Sequence, residues 1–126
     1  MDKPISNGLK YTFLVHVVVG LVFGLTYLIY PSLWSNMSGV TAEYDLTDRV
    51  IGAAVLGWSA MSWFCYRAGV VGRVKIVVLG EIVWTVLATL VMLYALLLQG
   101  YPSIGWLNAI IMAAFAIAFI VFNPKE

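Results

Sequence analysis

Two side chains able to exchange protons lie inside long apolar runs of this 126-residue sequence: His16, its one histidine, and Glu81, the one carboxylate within those runs. In hydrocarbon a carboxyl group must be neutral, paired or turned toward a wet cavity, so an intramembrane glutamate points to function by default. His16 follows Lys10 by six residues and Glu81 follows Lys75 by six. At about 1.5 Å of rise per residue, each sits roughly 9 Å from a basic anchor, and on helices running the same way the two reach one depth. Ser59 and Ser62, within eight residues of Arg67 on a helix running back, reach comparable depth. Trp58 and Trp84 are each nine residues from a basic anchor, deeper than an interfacial belt, and Thr85 lies one turn beyond Glu81. These seven residues predict a cavity open to the basic side, with polar anchors and tryptophan walls. Such a cavity suits a lipid or small amphipathic ligand entering from the inner leaflet.

The same residue types have plainer uses. A histidine beside small residues serves as a helix-to-helix hydrogen-bonding group, worth on average about 0.6 kcal/mol in a membrane. Glu81 bonded to a neighbouring hydroxyl or carbonyl would specify how the bundle assembles. Enzyme chemistry has little to work with, since one histidine, one cysteine and one embedded carboxylate supply neither a zinc site nor a pair of haem ligands. A second carboxylate for acid–base work is missing, because Glu43, Asp45 and Asp48 fall on the opposite side. Ser59 or Ser62 with His16 and Glu81 has the residue types of a triad, but spacing fixes no triad geometry. No cofactor is expected. Phosphate-cradling glycine motifs and a basic surface for nucleic acid are both absent. Cys65, the sole cysteine, excludes an internal disulfide and reads as a small buried hydrophobe. Two other readings remain open: a proton-coupled small-molecule transporter using Glu81, built as a homodimer through Gly20 and Gly24, and an accessory subunit of a membrane complex.

The elements that must position these groups follow from composition. With 63% hydrophobic and 10% charged residues, the chain cannot clothe a water-soluble globule of its size. Runs over 11–30, 50–66, 75–98 and 104–122 are long enough to cross about 30 Å of hydrocarbon. The expected fold is therefore all-α, a single integral membrane domain forming an up-down four-helix bundle, with an outer loop over 31–49. Lys3, Lys10, Arg67, Arg73, Lys75 and Lys125 lie on one side and Arg49 alone on the other. The positive-inside rule puts both termini in the cytoplasm of a multi-pass cell-membrane protein. Pro31 closes the first span, Asp45 and Asp48 are expected to cap the second, and Gly72 is expected in the turn before the third. Leu33, Trp34 and Met37 are expected at the interface. Stripes of small residues predict which faces meet: His16, Gly20 and Gly24; Ala53, Gly57 and Ala60; Gly105, Ala109, Ala113 and Ala116. On the third span Glu81, Thr85, Ala88, Thr89 and Met92 share the inward stripe.

A first span ending in Pro31 with Leu33-Trp34, then Asp48-Arg49-x-x-Gly52-Ala53-Ala54-x-Leu56-Gly57 opening the second, resembles the small, mostly uncharacterised four-span integral membrane proteins of bacteria and archaea. The resemblance covers most of the chain. It implies a four-span fold and a prokaryotic cytoplasmic membrane, and it brings no activity, ligand or cofactor.

Overall fold

The computed structural model describes residues 3–40 and 45–125. Among them the chain is all-helical, with five helices and no strand: α1 (Asn7–Ile29), α2 (Ser32–Ser38), α3 (Leu46–Ala68), α4 (Val71–Leu98) and α5 (Gly105–Val121). The four long helices lie on the four apolar runs. Three of them, α1, α3 and α4, begin one turn earlier than the apolar pattern does. That first turn is polar or charged (Lys10, Asp48 with Arg49, Arg73), so hydrophobicity misses it although the backbone is already helical. α1 and α4 are long and apolar enough to cross a membrane. α5 is equally apolar but spans 17 residues, and α3 carries Asp48, Arg49 and Arg67 near its ends.

Local chemistry sets the boundaries. Ser6 caps α1, its hydroxyl accepting from the Leu9 N–H at 3.2 Å. Gly69, not Gly72, makes the turn between α3 and α4, because the residue after the last helical one must take a left-handed φ of 64°, which glycine does without a Cβ clash. Gly72 falls in the first turn of α4. Asp45 occupies the N-cap position of α3 but makes no capping bond. Its carboxylate instead holds Arg49 at 2.9 Å, and Arg49 also donates to the Leu28 carbonyl at 2.7 Å. Glu43, read from sequence beside these acids, lies outside the described residues.

At the basic end the segment before α1 is tied to the α3–α4 turn and to Lys125. Ile5 N–H donates to Gly69 O at 3.0 Å and Val71 N–H to Lys3 O at 2.8 Å. Lys3 Nζ reaches Lys125 O at 3.4 Å. Inside this end lies the main core, with Leu9, Phe13, Val74, Val78 and Phe119 completely buried.

The bundle consists of two close pairs, α1 on α3 and α4 on α5, which meet each other along shorter seams. The α1–α3 pair is tight because glycines face each other. A Cβ on Gly24 would meet Leu56, and one on Gly52 would lie 2.7 Å from Gly24 O. This corrects the sequence reading of α3. Ala53, Gly57 and Ala60 are exposed, Gly57 with nothing within 4 Å of a Cβ, while Gly52, Leu56 and Ser59 make the contact. Gly20 and Gly24, the glycines named for a homodimer, are both buried against α3 of their own chain. The stripe on α5 faces inward through Gly105, Ala109 and Ala116.

α2 folds back along α1. Trp34 stacks on Phe23 (centroids 5.0 Å) and Tyr27 (5.2 Å), and its indole N–H donates to Thr26 Oγ1 at 3.0 Å. The loop tryptophan is thus bound into the wall of the bundle.

Candidate functional site

His16, Ser62 and Glu81 come from α1, α3 and α4 and meet where the helix pairs join. His16 Nδ1 lies 2.7 Å from Ser62 Oγ, and Ser62 Oγ donates to Glu81 Oε1 at 3.0 Å. The direct separation of His16 Nδ1 and Glu81 Oε1 is 3.5 Å. Glu81 is completely buried, and its Oε2 has no hydrogen-bond partner among the described residues. Ser62 is equally buried, so water does not separate the three groups.

The serine hydroxyl has a single proton, and this couples its neighbours. When Ser62 donates to a Glu81 carboxylate, His16 Nδ1–H donates to Ser62 Oγ. When Glu81 is protonated and donates to Ser62, the serine proton points to an unprotonated Nδ1 and the imidazole proton resides on Nε2. The imidazolium–carboxylate form and the neutral form therefore differ only by two protons shifted along one hydrogen-bond chain. Position of the proton on the ring is set by the acid behind it.

The imidazole packs edge-on against Phe115 (centroids 4.7 Å) and Phe119 (5.7 Å) of α5. Beyond it opens a cavity of about 230 Å³ whose walls are chiefly apolar. Val19, Gly20, Phe23 and Tyr27 line it from α1, Ile51, Val55 and Trp58 from α3, Trp84, Ala88 and Met92 from α4, and Asn108, Ile111, Met112 and Phe115 from α5. Trp58 and Trp84 stack nearly parallel across the α3–α4 seam, with centroids 6.3 Å apart and planes 6° apart. Gly80 admits the Trp58 ring, which a Cβ there would approach to 3.3 Å. The space exceeds the roughly 150 Å³ that accepts a benzene molecule in an engineered apolar cavity.

Of the seven residues singled out from sequence, His16, Trp58 and Trp84 line the cavity. Ser62 and Glu81 stand behind His16 and reach the cavity only through it. Ser59 and Thr85 serve their own helices, Ser59 Oγ donating to Val55 O at 2.9 Å and Thr85 Oγ1 to Glu81 O at 2.6 Å; neither lines the cavity. The expected opening toward the basic side is overturned as well. From His16 the cavity runs toward Tyr27, Ile51 and Asn108, away from the basic end, which Leu9, Phe13 and Phe119 fill.

Residues that sequence reasoning passed over include Phe23, Tyr27, Met112 and Phe115, while Met92 was placed inward but not at the site. Their signal was register. His16, Gly20, Phe23 and Tyr27 recur at helical spacing on one face, as do Trp84, Ala88 and Met92. Widening the face of His16, Gly20 and Gly24 to take in Phe23 and Tyr27 recovers the wall.

No protein-family model matches this chain, and neither a curated protein nor a solved structure matches it.

Proposed function

We propose that the chain is a four-span membrane protein that binds a lipid or small amphipathic molecule in the cavity above His16. Support for the bilayer comes from the outward faces. Val18 and Leu25 on α1, Phe64 on α3, Val83, Leu87 and Val91 on α4 and Ile110 and Ile117 on α5 are all exposed, large apolar side chains on every long helix that suit acyl chains better than water. The basic end then faces the cytoplasm, and the cavity occupies the outer half of the bundle. The observation that carries the ligand reading is the cavity itself: a space walled chiefly by aromatic, aliphatic and methionine side chains, with His16 at its floor and Tyr27 and Asn108 at its far end. The test is native mass spectrometry of the protein from a gentle detergent. A retained small mass that Ala88→Trp abolishes is expected; a clean spectrum for both proteins would overturn the reading.

One observation favours a second reading, proton-coupled transport. His16 touches the cavity and is joined through Ser62 to a carboxyl group sealed from solvent, so a substrate bound against the imidazole could exchange a proton with Glu81. That reading expects proton release from detergent-solubilised protein on adding substrate, lost in Ser62→Ala. Unchanged release in the variant would discard the relay.

A further inference from the structure

A second, more polar recess adjoins the cavity at the end away from the basic residues. Its volume is about 100 Å³, and it meets the cavity across Tyr27 and Asn108, which line both spaces. Three aromatic rings, Tyr27, Trp34 and Tyr101, share its wall with Asp48. Each is fixed in place. Trp34 is held by its stack on Tyr27 and its bond to Thr26. Tyr101 lies against Gly105, where a Cβ would come within 2.7 Å of its ring. Tyr27 is held by its stack on Trp34 and a side-chain hydrogen bond with Asn108.

The charges on this wall have one sign. Asp48 is half-buried and makes no ion pair among the described residues. Arg49, its neighbour, is turned away to Asp45 and the Leu28 carbonyl and does not line the recess. A carboxylate together with aromatic faces, whose quadrupoles are negative, attracts an organic cation and repels an anion. A metal ion would want several hard oxygen ligands, and the rings and the apolar cavity next door offer instead a place for carbon.

We propose that this recess is the head-group subsite of the cavity and takes a small organic ammonium, with the apolar body of the same molecule lying between Trp58, Trp84 and Met112. The proposal rests on the cavity being a ligand site and adds the chemical class of what enters it. Asp48 supplies the counter-charge, Tyr27, Trp34 and Tyr101 the aromatic contacts, and His16 lies at the far end of the bound molecule.

The test uses three probes with one phenylbutyl body and three heads: 4-phenylbutylammonium, 4-phenylbutanol and 5-phenylpentanoate, in equilibrium dialysis of the detergent-solubilised protein against protein-free micelles. The ammonium should bind about tenfold more tightly than the alcohol, and the carboxylate less tightly than the alcohol. Asp48→Asn should bring the ammonium to the level of the alcohol while leaving the alcohol unchanged. Tyr101→Leu, which keeps the charge and removes one ring, should lower the ammonium preference severalfold and serves if Asp48→Asn does not fold. Equal binding of ammonium and alcohol by the native protein, or a preference that survives both variants, overturns the head-group subsite and leaves the cavity standing. Binding of none of the three overturns both.

Discussion

Replacing Gly52 by alanine should loosen the bundle, whereas the same change at Gly57, five residues on in the same helix, should not. A Cβ on Gly52 would lie 2.6 Å from Leu28 N, 2.7 Å from Gly24 O and 3.0 Å from Leu28 Cα. All three are backbone atoms of α1, so no rotamer change relieves them and the two helices must separate. The closest contact falls roughly 0.8 Å short of ordinary van der Waals distance, and a gap of ~0.5–1 Å forfeits about a quarter to a half of each dispersion contact along the crossing. Overpacking against rigid neighbours costs about 1–3 kcal/mol, and here the upper part of that range applies. Alanine also gains up to about 1 kcal/mol of helix propensity over glycine, but it gains this at both positions. The difference between Gly52→Ala and Gly57→Ala thus isolates the packing cost, at about 2–3 kcal/mol. Unfolding in mixed detergent and SDS, followed by far-UV circular dichroism, measures it. A difference below ~0.5 kcal/mol, small beside the expected overpacking cost, would refute the claim that α1 and α3 meet backbone to backbone at this glycine.

The same assay separates the two buried serines. Ser62→Ala should cost about 1–3 kcal/mol by stranding His16 Nδ1 and Glu81 Oε1, whereas Ser59→Ala loses only a bond to its own helix and should cost less; a reversed order would contradict the hydrogen-bond chain. Glu81→Gln should be nearly neutral in stability, because the amide oxygen can accept from Ser62 while the NH₂ replaces the unpartnered Oε2, and Glu81→Ala should cost about 2–4 kcal/mol by opening a hole in a completely buried site; equal losses in the two variants would show that the carboxyl charge, not the shape, holds the site. Trp34→Phe should keep the stack on Phe23 and Tyr27 and lose about 1 kcal/mol with the bond to Thr26, seen as faster amide exchange confined to residues 32–38. Unchanged exchange there would detach α2 from the cavity wall.

The helices were legible because hydrophobic runs of this length have few alternatives, and the meeting of His16 with Glu81 followed from counting residues from basic anchors on parallel helices. What escaped was the choice of face. On α3 the stripe Ala53, Gly57, Ala60 and the stripe Gly52, Leu56, Ser59 are one residue apart, about 100° around the helix. Alanine and glycine suit either environment, so composition cannot rank the two faces; only the partner glycine on α1 does. The role of Ser59 and Thr85 was hidden for a related reason. A hydroxyl in an apolar helix can satisfy itself on the carbonyl one turn back, and nothing in sequence separates such a residue from Ser62, which reaches across to two neighbours.

The direction in which the cavity opens was also out of reach of residue counting, and it follows from how side-chain size is graded along the axis. On α1 the inward positions pass from Leu9 and Phe13 through His16 to Gly20 and Gly24. On α4 they pass from Val74 and Val78 through Glu81 to Thr85 and Ala88. On α5, which runs the other way, Phe119 and Phe115 lie toward the basic end and Ala109 toward the far end. On α1 and α5 the inward side chains thus shrink away from the basic end, and the larger ones there, Phe23, Tyr27, Trp58 and Trp84, wall the space left open. The polar chain sits at the change-over. Below it the packed core excludes water, so Glu81 can be satisfied only through Ser62; above it His16 faces the open space. On the proposed reading, a ligand enters from the far end or through the α3–α4 seam, and the first titratable group it meets at the floor is an imidazole whose proton is positioned by a carboxyl group it never touches.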